Sequence, residues 1–378
     1  MSLADDLWAL TIGARWFGGR GRGGRPGGFR SLDPACDVQS VLLDVAYGAG
    51  SRETYHVPLL SSALPRLVEA ADEGLSLWRP FAEQAPGFAL LDDLPAPTTA
   101  KRFAGEQSNT NVFFDNATML KVLRRVEPGG GIEAELLEVL RGSGVAPELH
   151  GTWNHDDVAL GVLVETLVDP EDGFDVAKDA AARAHRFDDE SFALGRALAT
   201  VHERLAAGLA TGVADSGTLA TTFRSRFDAA ASEVPDLARF RGPVHETIEA
   251  IGEHAVATQR IHGDCHLGQV LRTEGAWRYV DFEGEPMKGL AERRALDSPL
   301  RDVAGMLRSY AYAAALGGAD AAWLSSCREA FLAGYGVEEG PVLAAYQIDK
   351  AVYEALYESR FRPQLLHVPL AAFEDLAR

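Results

Sequence analysis

Two short segments concentrate the residue types able to do chemistry. Residues 261–271 read IHGDCHLGQVL, and residues 280–286 read VDFEGEP. Three chemistries compete for the first. A zinc site would use His262 and His266, four residues apart, on one helix face. Gly263 and Gly268 disfavour a continuous helix there, and no third ligand follows at a zinc-like spacing. A nucleophilic Cys265 would need a depressed thiol pKa, and the stretch reads more simply with a buried or tolerated cysteine. Phosphoryl transfer uses more of the residues. It needs a carboxylate to orient and deprotonate an acceptor hydroxyl and, five residues on, an oxygen ligand for Mg²⁺. Asp264 and Gln269 have that separation, with His262 two residues before the aspartate. The glutamine carbonyl is a hard oxygen suited to Mg²⁺. Asp281, in VDFEG, supplies the second carboxylate expected on a following turn, and Glu283 either adds a ligand or caps that turn.

The same chemistry demands a lysine for the nucleotide phosphates and a helix glutamate to hold it. Lys121, in the apolar strand TMLKVL, fits the first role. Glu133, Glu135 and Glu138 all lie on the helix that follows, and Glu135 is taken as the partner. The loop EQSNTN (106–111) would cover the phosphates. It is not glycine-rich, so Ser108, Asn109 and Thr110 must offer hydroxyls, amides and backbone N–H groups instead.

The elements that carry these groups follow from periodicity. WFGGRGRGGRPGGFR is a Gly/Arg run expected to form a mobile loop, with an RNA-binding tract as the alternative. VQSVLLDVAY and RETYHVPLL are β-rich runs joined by GAGS, a hairpin signal. They belong to a small N-terminal unit ending near residue 92, where LPAPT marks a break. VFFDNATMLKVLRRV reads as strand, turn at Asp115-Asn116, and strand. In IEAELLEVLRGSG, Ile132, Leu136, Leu137 and Leu140 share a helical face, with Gly142 near its C-cap. PELHGTWN and VALGVLVETLV add two strands, completing a small α+β lobe. Beyond residue 170 the pattern is mainly helical: Leu194, Leu198, Val201 and Leu205 form one stripe, and similar periodicity recurs around 222–258, 300–315, 319–334 and 342–360. Only residues 261–283 interrupt it, with short strands at QVLR and WRYVDF.

Composition sets the boundary conditions. A formal net charge of −19 opposes binding to polyanions, so nucleic acid and anionic membranes are not expected partners. No apolar run approaches the roughly 20 residues that span a bilayer. The acidic start MSLADDLWAL and three widely spaced cysteines, Cys36, Cys265 and Cys327, point to reduced thiols in the cytoplasm.

EQSNTNVFF…MLKVLRRVEPG, HGDCHLGQVLR, VDFEGEP, LAERRALDSPLRDVAGMLRSYAYA and DKAVYEALYESRFRP resemble, in order, segments of the maltokinase family. That family lies within the aminoglycoside-phosphotransferase group of protein-kinase-like enzymes, and the resemblance spans nearly the whole chain. It implies an α+β, bilobal protein-kinase-like fold. A β-rich N-terminal cap would cover residues 1–92, an ATP-binding lobe 93–168, and a mainly helical C-lobe 169–378. It implies transfer of the ATP γ-phosphate to the anomeric hydroxyl of maltose, with ATP and Mg²⁺ as cofactors, in a monomer or weak homodimer. Carried over, Asp264 is the base, Gln269 and Asp281 are the metal ligands, Lys121 is the phosphate lysine, and Glu165 holds the adenine through its backbone. Cys265 stands where the family pattern has leucine.

On the acceptor side, Ile348, Val352 and Leu356 form a core stripe in AYQIDKAVYEALYESRFRP. Beside it Asp349, Tyr353, Tyr357 and Arg360 form a stripe able to bind sugar, or else a solvated face with a salt bridge. Arg301 and Asp302 are expected to brace the catalytic loop, with Arg301 alternatively reaching the phosphate. The alternative acceptor is glucosamine, whose amine Asp349, Glu354 and Glu358 could surround. A non-catalytic kinase-like scaffold and an antibiotic-modifying phosphotransferase are further alternatives.

Overall fold

Alternate residues are buried along Thr110–Phe114 and Thr118–Val122. The turn between them holds Asp115 and Asn116 at φ of 49° and 55°. Two successive left-handed residues are what a two-residue hairpin requires. Asp115 secures the turn by accepting from the backbone N–H of Thr98 and Thr99, each at 2.7 Å. This hairpin lies within the first of two units in a computed structural model that describes residues 3–63, 67–105, 108–129, 131–252, 255–286 and 288–376. Contacts divide the chain into a unit of residues 1–141 and 147–168 and a unit of residues 142–146 and 169–378.

Among the described residues the first unit holds helices α1 (Leu3–Gly13), α2 (Leu75–Ala82) and α3 (Ile132–Leu140), and ten strands. The strands are β1 (Arg25–Ser31), β2 (Val38–Ala46), β3 (Arg52–Leu60), β4 (Phe88–Leu90), β5 (Ala100–Arg102), β6 (Thr110–Phe114), β7 (Thr118–Val122), β8 (Arg125–Val126), β9 (Leu149–His155) and β10 (Val158–Glu165). They form two antiparallel sheets, ordered β1-β2-β3-β8 and β4-β9-β10-β7-β6-β5. The sheets exchange elements across residue 92: β4 joins the later sheet, and β8 joins the earlier one. One apolar core accordingly draws Leu42 and Trp78 together with Leu120 and Trp153.

The Gly/Arg run departs from expectation. Residues 25–31 form β1, paired with β2 and fully exposed, with a register shift between Pro26 and Gly28. Glycine weakens a strand interior, yet here β2 supplies the partner and the strand has only an edge to fill. Helices α1 and α2 also form where no helix was expected.

The second unit begins with β11 (Glu171–Asp172), α4 (Gly173–Ala182), α5 (Asp188–Gly208), β12 (Thr211–Asp215), α6 (Ser216–Glu233), α7 (Arg241–Glu249) and β13 (Ala255–Gln259). It continues with β14 (Val270–Thr273), β15 (Ala276–Tyr279), α8 (Leu290–Arg294), α9 (Leu300–Gly317), α10 (Ala321–Tyr335), α11 (Pro341–Phe361) and α12 (His367–Leu376). The stripe of α5 is buried at Leu194, Leu198, Val201 and Leu205. Where helical periodicity was read through to 258, β13 instead pairs antiparallel with β12. Among the described residues no helix is long and apolar enough to cross a membrane.

Candidate active site

The loop after β13 is built around one carboxylate. Asp302, in α9, is 1% exposed. Its Oδ2 accepts from the backbone N–H of His262 at 2.8 Å, and its Oδ1 from that of Gly263 at 2.9 Å. His202, from α5, donates to Oδ2 through Nε2 at 3.0 Å. Burial alone would raise the Asp302 carboxyl pKa. The bond and charge of His202, with the Gly263 N–H, outweigh it and hold the group below its usual value.

Further contacts set the rest of the loop. His262 Nε2 donates to the carbonyl of Val280 at 2.9 Å, tying the loop to the segment that carries Asp281. Gly263 has φ of 85°, where a side chain would be strained. Gly305 of α9 lies against the loop so closely that a Cβ there would sit 2.2 Å from the Cys265 carbonyl oxygen. Burial raises the Cys265 thiol pKa and lowers that of His266. Neither is poised as a nucleophile or a cation. Among the described residues no group of three or more His, Cys, Asp and Glu is arranged to hold a metal ion.

Asp264 is thereby presented with a lysine beside it. Lys350 Nζ, from α11, lies 3.8 Å from Asp264 Oδ1 and 3.4 Å from Glu285 Oε1. Glu285 also meets Arg301 at 2.7 Å and Lys288 at 3.2 Å, and Arg301 reaches Asp297 at 2.9 Å. Burial works against ionising Glu285, but the charges of Arg301, Lys350 and Lys288 prevail and bring its pKa to about 2. Burial likewise works against a charged Lys350, and Glu285, Asp264 and Glu354 reverse that and raise its pKa. Arg301 is therefore spent on two carboxylates, and Asp302 is the group bonded to the loop backbone.

Gln269 and Asp281 come together, with Gln269 Nε2 donating to Asp281 Oδ2 at 3.4 Å. Asp281 has φ of 63°, an uncommon value for aspartate and one that turns the chain sharply. An amide and a carboxylate are hard oxygen donors. Mg²⁺ bound to a nucleotide needs only one or two protein ligands beside phosphate oxygens and water, so the pair fits that ion once the amide turns its oxygen inward.

The acceptor helix is rotated from expectation. Asp349 pairs with Arg226 of α6 at 2.7 Å, and Arg360 pairs with Glu233. Neither is displayed as a free sugar ligand. Tyr353 and Tyr357 are 46% and 42% exposed, and the residue of this helix that reaches Asp264 is Lys350, with Tyr353 and Tyr357 following it at helical spacing. Lys350 Nζ stands 5.5 Å from the Tyr353 ring centroid. Spacings of three and four residues mark this stripe in the sequence, where Lys350 was passed over.

In the first unit, Lys121 of β7 pairs with Glu133 at 2.9 Å. The first turn of α3 thus presents Glu133, 8% exposed, to the lysine, two residues before the expected Glu135. Of the loop 106–111, Glu106 and Gln107 lie outside the described residues. Ser108 is exposed. Thr110 is 4% exposed, and its hydroxyl accepts from Arg124 Nε at 2.8 Å, so it is turned inward and not offered to phosphate. Asn109 Oδ1 accepts from the Arg124 N–H at 3.1 Å. At Glu165 the backbone N–H, one of the groups the resemblance assigned to adenine, is committed to the carbonyl of Glu148 at 2.9 Å.

A sequence profile described as the phosphotransferase enzyme family matches residues 99–347. A glucosamine kinase of Streptacidiphilus jiangxiensis is 25% identical over 329 residues, covering 74% of each chain. A glucosamine kinase of Mycolicibacterium smegmatis is 28% identical over 324 residues, covering 72% of this chain and 78% of its own. A solved structure described as a glucosamine kinase in complex with glucosamine, ADP and inorganic phosphate superposes with a TM-score of 0.76. Its sequence identity is 20%, and the match covers 98% of this chain and 99% of that one. The fold is thus the α+β kinase-like one. None of these three is a maltokinase, which corrects that finer assignment while leaving the broader phosphotransferase grouping in place.

Proposed function

The chain belongs to the phosphotransferase enzyme family, and on that premise we propose that it is an ATP-dependent sugar kinase whose acceptor is glucosamine. The observation that carries the acceptor is that two relatives matching about three quarters of this chain are both named glucosamine kinases. The geometry around Asp264 supports the chemistry. Its carboxylate orients the acceptor hydroxyl and takes its proton late in transfer. Lys350 steadies that carboxylate and brings a positive charge to where the acceptor must stand.

Glu285 stays ionised at neutral pH in the same cluster. Held by Arg301, Lys288 and Lys350, it anchors the cluster, and the exposed ring of Tyr353 offers the apolar face that a pyranose needs. The carboxylates first considered for the amine are otherwise engaged. Asp349 is held by Arg226, Glu354 by Arg308 at 2.8 Å, and Glu358 by Tyr312 and Arg362. Lys121, fixed by Glu133, is the phosphate lysine of the first unit. Asp281 and Gln269 would hold Mg²⁺, which when bound neutralises charge on the phosphates.

The test is ADP release from ATP with glucosamine, N-acetylglucosamine and maltose, with the product identified by ³¹P NMR. Glucosamine-dependent turnover with a phosphate ester product is expected. Turnover of maltose without glucosamine would overturn the acceptor, and no turnover with any sugar would overturn the kinase itself.

A further inference from the structure

Arg124 follows β7 by two residues and is 0% exposed. Its guanidinium serves three separate parts of the first unit. Nε donates to Thr110 Oγ1 at 2.8 Å, one terminal nitrogen to Glu69 Oε2 at 3.0 Å, and the other to the His56 carbonyl at 3.3 Å. The guanidinium carbon lies 4.5 Å from the centroid of the Trp16 ring, whose Nε1 donates to Glu69 Oε1 at 3.2 Å. Glu69 and Trp16 are 4% and 3% exposed. Burying such an ion pair brings little net stability, because desolvation offsets much of the attraction. What it does bring is direction, since a guanidinium donates along fixed axes.

One of those axes ends on the loop read as covering the phosphates, at Thr110. Besides the bond to Thr110, the Arg124 backbone N–H holds Asn109 Oδ1. The next loop residue, Asn111, pairs in register with Lys121. Elsewhere the loop borders a cavity of about 340 Å³ lined by Arg15, Trp16, Arg102, Asn109, Thr110 and Asn111, so packing does not fill that side. We propose that Trp16, Glu69 and Arg124 are positioning residues for the nucleotide phosphates, through which the N-terminal segment sets the loop at 109–110 relative to Lys121. This rests on the kinase reading above.

The experiment compares Thr110→Val, Thr110→Ser and Trp16→Leu with the wild type. It measures the KM of ATP and of the acceptor, ADP affinity by calorimetry, and Tm. Thr110→Val removes the acceptor for Arg124 Nε and is expected to raise the KM of ATP about tenfold, with the acceptor KM within about twofold. Thr110→Ser should restore the wild-type value, and Trp16→Leu should shift the ATP KM in the same direction by less. A lowered Tm with both KM values unchanged, or raised together, would overturn the proposal and leave the kinase reading standing. A wild type that binds no adenine nucleotide would overturn both.

Discussion

Arg124 in the first unit and Lys350 in the second are both cations withdrawn from water, and they are held differently. Arg124 is wholly buried, with a carboxylate, a hydroxyl and a carbonyl bonded at 2.8–3.3 Å and an indole ring beside it. Lys350 keeps its side chain 19% exposed and stands at 3.4 and 3.8 Å from two carboxylates. A planar fork with three directed bonds fixes geometry, whereas a point charge at longer range supplies a field and leaves room for a ligand. Arg124 thus acts as a buried charge that holds backbone in place, as Asp302 does in the second unit. Lys350 instead stands in a looser cluster with Glu285 and Asp264.

Three measurements would break or sharpen that contrast. The largest effect is expected from Asp264→Asn, which should lower kcat by roughly 10²–10⁴-fold while ADP affinity measured by calorimetry stays put. A parallel fall in nucleotide affinity would mean that the cluster in the second unit serves the nucleotide as well. Next, Glu133→Gln should raise the KM of ATP by about tenfold, and Glu135→Gln by less than about twofold. Equal effects would return Glu135 to the role first expected of it.

The smallest effect is in acid stability. Burial and the charge of Arg124 lower the His56 pKa from 6.5 to about 3. The unfolded chain therefore takes up a proton first, and the first unit should lose stability as pH falls from 6.5 toward 3. The slope for that one proton is about 1.4 kcal/mol per pH unit. Glu285 is lowered from 4.5 to about 2, so its contribution is complete above pH 4.5 and fades only below. Hydrogen exchange should show the amides around His56 loosening as pH falls below 6.5, and His56→Gln should remove that pH dependence. Unchanged protection around His56 down to pH 3 would overturn this.

Local spacing explains most of what the sequence disclosed. The Asp115-Asn116 turn and the buried face of α3 each depend on residues a few positions apart. Several of the misses depend on distant partners. Asp349 and Lys350 are neighbours on α11, and only the placement of Arg226, more than a hundred residues earlier, decides which one is left for Asp264. Arg124 in KVLRRV looks like a surface arginine until Trp16, His56 and Glu69 close around it. The strand β1 likewise exists because β2 pairs with it, against the preference of its glycines.

Gly305 touches no substrate, yet its missing side chain is the space occupied by the carbonyl of Cys265. A single added methyl would press α9 away from the loop that α9 anchors through Asp302. In a genetic screen for lost activity, position 305 would therefore behave as a lock whose only accepted key is no side chain at all. The lesion would surface one residue from Asp264 while lying well outside any list of chemical groups.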